Sequence, residues 1–436
     1  MSITAAQGFE AGGAAIGIKP SGAPDLAIVV TADRRPVPAA GVFTTNLATA
    51  APVLVSRAHL ADGHAAGVVL SSGNANAATG ARGRADATRM CELTAGAFGL
   101  AASDFLVCST GLIGYTMPMD VLEAGIPAVA AHLNGATAAA DALLTTDTVR
   151  KEAVAPVGAS GAVVGGMAKG AAMLAPAMAT MLAVLTTDAD ATPYVLERAL
   201  TLAVSKSFNA LCVDACTSTN DTVLVLASGA AGGPAITTTD GPDYWALVDA
   251  MTSVCASLAR QMATDAEGAT KLASIRVTGA RTDAQAAQAA RAVASSQLVQ
   301  CSLNGEDPYW GRVLSELGAS GASIDQERVT ISYGGHVVCE QGIEAAHDAD
   351  AVRAVMAAQG RAQRVGERLR DVLLPDDVDF RPALDMRFRG LAYELPIDFG
   401  RGELGPGFGA RMAERFVAAH ERTYGFAGTG HLAVQC

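Results

Sequence analysis

Short uninterrupted apolar runs alternate along the chain with stretches in which small and apolar residues recur at helical spacing. Leu26 to Thr31 (LAIVVT) follows Gly and Pro punctuation in residues 8–25, which predicts a turn entering a buried strand. Val53 to Ser56 and Gly67 to Leu70 read as two further strands, the second running into SSGNANAATG (Ser71 to Gly80), which is too rich in Asn, Gly and Ser for a regular element. Ala85 to Leu100 has helical spacing, Phe105 to Cys108 reads as a strand ending in STGLIG, and Val121 to Leu144 as one or two Ala-rich helices.

The second half continues the alternation. Val154 to Gly166 predicts a hairpin, Tyr194 to Lys206 a helix, and Ser207 to Gly229 a strand, a polar turn and a second strand. Asp243 to Asp265 is a long amphipathic pattern that stops at DAEGATK, before a predicted strand at Leu272 to Val277. Thr282 to Gln297 reads as a helix and Leu298 to Leu303 as a strand. NGEDPYWGR then places Glu306, Asp307 and Arg312 around an aromatic pair. Val329 to Ser332 and Val337 to Cys339 suit a hairpin turning at Gly334-Gly335. Asp350 is placed to cap a helix running through Met356 towards Leu374. Beyond it, Arg387 to Pro396 looks like a strand pair and Phe408 to Thr423 like a closing helix.

This succession predicts layered α/β domains with mixed sheets and flanking helices, without the regular βαβ spacing of a dinucleotide fold. At 436 residues the chain exceeds one ordinary core; half of it is hydrophobic and 17% charged, as in a globular enzyme. A formal charge of −12 with no lysine-rich run argues against nucleic acid as a general partner. The N-terminus lacks a basic region followed by an apolar core, and the longest apolar run, Ala171 to Leu185, is shorter than a membrane span and contains Pro176. The expectation is a cytoplasmic protein that neither binds nor spans a membrane. Eight scattered cysteines read as reduced thiols; the close pair Cys212 and Cys216 has no histidine near it to suggest a metal site.

One stretch concentrates the chemistry. In Gly165 to Asp188 (GGMAKGAAMLAPAMATMLAVLTTD), Lys169 sits among Gly and Ala, and Thr180 follows inside an apolar run. A hydroxyl there needs a hydrogen-bond partner or a task, because an unpaired one costs about 1–3 kcal/mol. Periodicity alone reads Thr180 as a core hydroxyl bonded to a nearby carbonyl. Its other reading is a nucleophile activated by an adjacent amine. A Thr-Gly pair ending a buried strand, Thr110-Gly111, presents a hydroxyl and a backbone N–H in one direction, as an oxyanion hole requires.

Taken in order, GFEAGGAAIGIK, VFTTN, SGNANAATG, STGLIG with PMD after it, TTDT, GGMAKGAAMLAPAMATML, TSTNDT, EGATK and GEDPYWGR resemble the bifunctional ornithine acetyltransferase/N-acetylglutamate synthase family of arginine biosynthesis, over about residues 8–358. The resemblance implies a precursor that cleaves itself between Ala179 and Thr180. Thr180 then becomes an N-terminal nucleophile that takes acetyl from N-acetylornithine and passes it to glutamate in ping-pong order. It implies Thr110 and Gly111 as the oxyanion hole. Lys169 and Thr145 or Thr146 would lie at the substrate site, with Glu267 on the substrate's amino group. It implies no metal or other cofactor, with acetyl-CoA an additional candidate donor. It also implies a heterotetramer of two α chains (1–179) and two β chains (core 180–358). Two main lobes are expected, with an atypical α+β segment at 359–436.

The chain departs from the family pattern at Ala172 and Ala215, where Gly is usual, at Cys216, where an acid is usual, and at Gln300, where a lysine is usual. Residues 360–427, with VDFRPALDMRFRGLAYELPI and FVAAHERTYGF, resemble instead the C-terminal region of the hydantoinase A/oxoprolinase family. No activity is carried over from that piece, and the His420-Glu421-Arg422 cluster reads as a solvated helix face. Two alternatives therefore stand beside the acetyltransferase. One is a threonine-nucleophile amidohydrolase or aminopeptidase with water as acceptor; the other is a catalytically impaired fusion or scaffold.

Overall fold

A computed structural model describes residues 2–174, 181–359, 383–388, 395–398, 415 and 434–435. The chain divides into two compact units, residues 1–363 and 364–436.

Leu26 to Thr31 is buried along its whole length because both its faces are covered. It forms β2 (Leu26–Thr31) of a four-stranded sheet with β1 (Phe9–Ala14), β5 (Gly67–Asn74) and β6 (Phe105–Leu112), in the order β1-β2-β5-β6. Strands β1, β2 and β5 are antiparallel neighbours, whereas β5 and β6 run parallel, joined by the long crossover helix α2 (Gly80–Phe98). A six-stranded sheet contains β3 (Val37–Phe43), β4 (His64–Ala65), β7 (Lys151–Pro156), β8 (Val163–Lys169), β9 (Leu182–Thr187) and β10 (Thr222–Ala227). Its order is β4-β3-β10-β9-β8-β7; β9 and β10 are its one parallel pair, and helix α5 (Pro193–Lys206) lies between them in sequence.

The cores place these sheets face to face. Ala27, Val29, Val68, Leu70 and Leu106 from the first sheet meet Met167, Leu182, Val184, Leu224 and Leu226 from the second. The alternate residues Leu26, Ile28, Val30 and Val69 face α2 and α3 (Met119–Ala131). Val164, Ala183, Leu185, Val223 and Val225 face α5 and α6 (Pro242–Thr264). The result is a helix–sheet–sheet–helix body, with α4 (Ala136–Leu143) packed into the inter-sheet core. A smaller cluster joins α10 (Ala349–Gln359) to the three-stranded sheet of β11 (Ile331–Tyr333), β12 (His336–Glu340) and β13 (Ile343–Glu344). In the second unit β14 (Ala383–Phe388) pairs antiparallel with β15 (Leu395–Asp398), the strand pair expected there, and also with β16 (Val434–Gln435).

Several expectations are corrected. Residues 8–25 hold β1 as well as a turn. Val53 to Ser56 lies in helix α1 (Ala51–His59), whose first turn contains Pro52; there the ring pre-sets a helical φ. Leu298 to Leu303 lies in helix α8 (Gln297–Asn304), which follows α7 (Asp283–Ser295) and is capped by the Ser296 side chain accepting from Val299 N. A short apolar run fits either element, and the caps decide. Leu272 to Val277 forms no strand, and within Ser207 to Gly229 only β10 does. Asp348 rather than Asp350 caps α10, its carboxylate accepting from the N–H groups of Asp350 and Ala351. Apart from Arg415, which is helical, the helix predicted at Phe408 to Thr423 lies outside the described residues, as do His420, Glu421 and Arg422.

Candidate active site

The strands of both sheets end at a common edge. Lys169 closes β8 and pairs in register with Leu182 at the start of β9; Leu182 in turn pairs with Thr222 at the start of β10. Three successive residues leaving β8 then reach the separate motifs. Lys169 Nζ donates to Thr110 Oγ1 at 3.2 Å, Gly170 N donates to Asp147 Oδ1 at 2.7 Å, and Ala171 O accepts from Glu267 N at 2.8 Å. So STGLIG, TTDT and EGATK, far apart in sequence, meet around one strand end.

This meeting point is charged and almost dry. The side chains of Asp147 and Lys151 are fully buried and joined at 2.7 Å, and Asp265 contacts the same ammonium. Thr148 binds Asp265 through both its N–H and its hydroxyl, which fixes the TTDT turn. Burial disfavours a charge on Asp147, but Lys169, Lys151 and the Gly170 N–H outweigh it and hold the carboxyl below its ordinary value. Lys169 is buried, and desolvation pushes its ammonium below the ordinary value; Asp147 and Asp221 oppose that shift, while Lys151 and Lys19 reinforce it. Lys19, held over Leu144 O and Pro24 O, is lowered by burial in the same way.

Thr110 and Gly111 lie at the end of β6, opposite Ser72 and Gly73 of β5, where the register shifts. Gly111 has φ +131°, and a Cβ there would lie 2.3 Å from the Gly73 carbonyl carbon, so only glycine fits. Asn220 Nδ2 donates to Ser109 O at 2.9 Å and to Ala75 O at 2.6 Å, tying the TSTNDT segment to this strand end.

Ala179 and Thr180 lie outside the described residues, but the chain on both sides of them is placed. Upstream, Met173 N and Leu174 N donate to the Asp214 carboxylate, and Leu174 O accepts from Val213 N at 2.6 Å. Downstream, Met181 N donates to Asp221 Oδ1 at 2.8 Å and Met181 O accepts from Thr222 N. The single segment Val213 to Asp221 therefore grips the chain on both sides of residues 175–180. Asp221 is fully buried, and burial raises its carboxyl well above the ordinary value against the pull of the Met181 N–H, Lys169 and Ser218.

The remaining expected residues are more open. Thr145 is half-buried, its N–H on Asp147 at 3.1 Å, whereas Thr146 and Glu267 are exposed. Among the described residues the Glu267 carboxylate has no hydrogen-bond or ion-pair partner. Its neighbour Lys271 is engaged by Glu306 at 2.5 Å, and Arg312 by Asp307 at 3.5 Å, so NGEDPYWGR braces EGATK. Of the departures, Ala215 stands at φ +57°, a conformation that costs an L-residue about 1–2 kcal/mol, while Ala172 has no such φ. Gln300 Nε2 donates to Val213 O at 3.1 Å and Ala294 O at 2.9 Å, binding the same segment without an ion pair. No group of His, Cys, Asp and Glu among the described residues is arranged to hold a metal.

Asp147, Lys151, Asp265, Lys19, Asp214 and Asp221 are the site residues that the sequence reading passes over. The signal for Asp147, Asp221 and Asp265 is their place inside TTDT, TSTNDT and DAEGATK; nothing local marks Lys151.

A lysine buried against a strand-end threonine, at the edge where two stacked sheets converge, defines an α/β enzyme with a polar site shielded from water. Residues 10–366 match the ArgJ family. The chain is 48% identical over 345 residues to the arginine biosynthesis bifunctional protein ArgJ of Streptomyces coelicolor, covering 78% of this chain and 87% of that one. It is 45% identical over 381 residues to ArgJ 1 of Streptomyces clavuligerus, covering 87% and 93%. A solved ornithine acetyltransferase complexed with ornithine from Mycobacterium tuberculosis is 41% identical, covering 40% of this chain and 94% of that one, with a TM-score of 0.36. The chain belongs to the ArgJ family. That match stops at residue 366, and these comparisons do not support a hydantoinase A/oxoprolinase relationship for residues 360–427.

Proposed function

We propose that the chain cuts itself between Ala179 and Thr180, and that Thr180 then carries acetyl from N-acetylornithine to glutamate. Family membership makes the protein an acyltransferase of arginine biosynthesis. The observation that supports the finer reading is the convergence of Thr110, Asp147 and Glu267 on the strand end leading to the 179–180 bond.

In this reading the Thr180 hydroxyl attacks the Ala179 carbonyl, and hydrolysis of the ester leaves an α-amine on the nucleophile itself. Such an amine titrates near pH 7.7–8.0, so a neutral fraction is present to take the hydroxyl proton. The nucleophile attacks the acetyl carbonyl of N-acetylornithine; Thr110 Oγ and Gly111 N–H stabilise the oxyanion, an interaction worth about 2.7–4 kcal/mol per donor. Ornithine leaves with the proton, glutamate enters, and the acetyl group passes to its amine. Lys169 and Thr145 or Thr146 contact the substrate. Glu267 binds its ammonium, for which an exposed carboxylate at the rim is suited. The chains 1–179 and 180–358 remain together after the cut, residues 359–436 follow as a separate segment, and two such pairs form a heterotetramer. The enzyme acts in the cytoplasm; among the described residues no helix is long and apolar enough to cross a membrane.

Denaturing electrophoresis with mass determination tests the cut. Two fragments meeting at Ala179/Thr180 are expected, with one intact band for Thr180→Ala. A single wild-type band that Thr180→Ala leaves unchanged overturns the reading. Acetylglutamate formed from N-acetylornithine and glutamate completes it, whereas free acetate in its place identifies a hydrolase.

A further inference from the structure

We infer that Lys19 is a positioning residue for acetyl transfer, a strut that holds the TTDT turn, and Thr145 in particular, to the strand end carrying Thr110 and Gly111. The inference rests on the reading of Thr145 as a substrate contact and of Gly111 as an oxyanion donor.

The strut starts from a buried carboxylate. Asp25, fully buried where the connection from β1 enters β2, accepts from four successive backbone N–H groups. Ile16 donates to Oδ1 at 2.8 Å, and Gly17 at 3.2 Å, Ile18 at 2.7 Å and Lys19 at 2.9 Å donate to Oδ2. Charge-assisted bonds of this kind satisfy the carboxylate and fix the backbone of residues 16–19. Asp25 O also accepts from Ser72 N at 2.8 Å, which ties the same connection to β5.

From that anchor the Lys19 stem lies on Gly73. A Cβ on Gly73 would stand 3.1 Å from Lys19 Cγ, so the bare glycine makes room for the stem. Gly73 pairs in turn with Gly111, the oxyanion glycine. Beyond the stem, Lys19 Nζ donates to Pro24 O and to Leu144 O, both at 2.5 Å. Leu144 immediately precedes Thr145, whose N–H and hydroxyl both reach the Asp147 carboxylate. The ammonium thus gives up water for two neutral carbonyls, and what it gains is a fixed geometry. Ser72 Oγ donates to Ala142 O at 2.5 Å, a parallel tie that ends inside α4, so placing the carbonyl next to Thr145 falls to Lys19.

The test is Lys19→Met in the full chain, which keeps an apolar stem on Gly73 and removes the two bonds from Nζ. Hydrogen–deuterium exchange read by mass spectrometry should show the amides of residues 145–148 exchanging about tenfold faster, with β5 and β6 unchanged and the circular dichroism of wild type retained. On processed enzyme, kcat for acetyl transfer from N-acetylornithine to glutamate should fall by about tenfold, with KM within about twofold. In a Thr145→Ala background Lys19→Met should cost little more, because both act through one turn. Unchanged exchange in the turn overturns the inference. So do losses that multiply in the double variant, as damage unrelated to Thr145 would. If Lys19→Met does not fold, Lys19→Gln, which keeps a shorter donor, answers the same measurements. Wild type without acetyl transfer overturns instead the reading of function beneath, and the exchange result still decides whether Lys19 holds the turn.

Discussion

The two sides of the site are built differently. On the sheet side, Lys169, Thr110, Asp147 and Lys151 are buried and each holds another in place. On the rim side, Glu267 and Thr146 are exposed, and among the described residues Glu267 is positioned only through its backbone N–H on Ala171. The sheet side is inseparable from the fold, since removing any one member strands a charge or a donor in a dry interior. The rim side is free of that constraint, and its residues can be changed with little effect on folding. The proposed function thus places Glu267, its partner for the substrate ammonium, on the wall on which the fold depends least.

The largest effect should come from Asp147→Asn. It leaves the Lys151 ammonium with the Asp265 carboxylate and the Val149 carbonyl and removes one of the two carboxyls facing Lys169, at a cost of about 3 kcal/mol in denaturant unfolding. The folded carboxyl lies below its ordinary value, so its contribution is fully present above about pH 4 and disappears as pH falls through the folded value. The gap between wild type and variant should therefore close on acidification below about pH 4. A gap that widens there would place the buried network elsewhere. Glu267→Gln should leave unfolding unchanged and raise KM for the amino-acid substrate about tenfold, roughly 1.4 kcal/mol. A loss of stability without a change in KM would move Glu267 to the structural wall. The smallest effect is expected from Ala215→Gly, which relieves a left-handed conformation at an exposed position and should stabilise the chain by about 1 kcal/mol, read as a higher denaturant midpoint with unchanged slope.

Sequence pattern shows much of the sheet side. LAIVVT and the hairpin at Val154 to Gly166 are legible because strands buried on both faces, or paired across a short turn, carry their own signal. Thr110 and Gly111 are legible because they stand where an apolar run stops, whereas Lys169, set among Gly and Ala, is marked by the family resemblance. Asp147 and Asp221 are not legible in this way. A carboxylate in a polar turn looks solvated until the fold shows what covers it: the Asp147 side chain is buried on Lys151 and Gly170 although Thr146 and Thr148 beside it are exposed, and Asp221 is buried against Met181 at the edge of β9. The runs Val53 to Ser56 and Leu298 to Leu303 are ambiguous for a different reason. Four to six apolar residues fit one turn of helix or one short strand equally well, and Pro52 and Ser296 settle them at the helix start.

The order β4-β3-β10-β9-β8-β7 also bears on when the proposed cut could be made. A break after residue 179 assigns β9 and β10 to the second fragment, and these are the middle strands of the six. Strands of the first fragment flank them on both sides, through β3 and β8. Neither piece can complete its sheet alone, because each lacks the neighbours the other supplies. Continuity across residues 175–180 would deliver the middle strands to their places at high local concentration, and the proposed break would follow once they are seated. Under the proposed cut, synthesis as one chain would act as an internal chaperone, dispensed with once its work is finished.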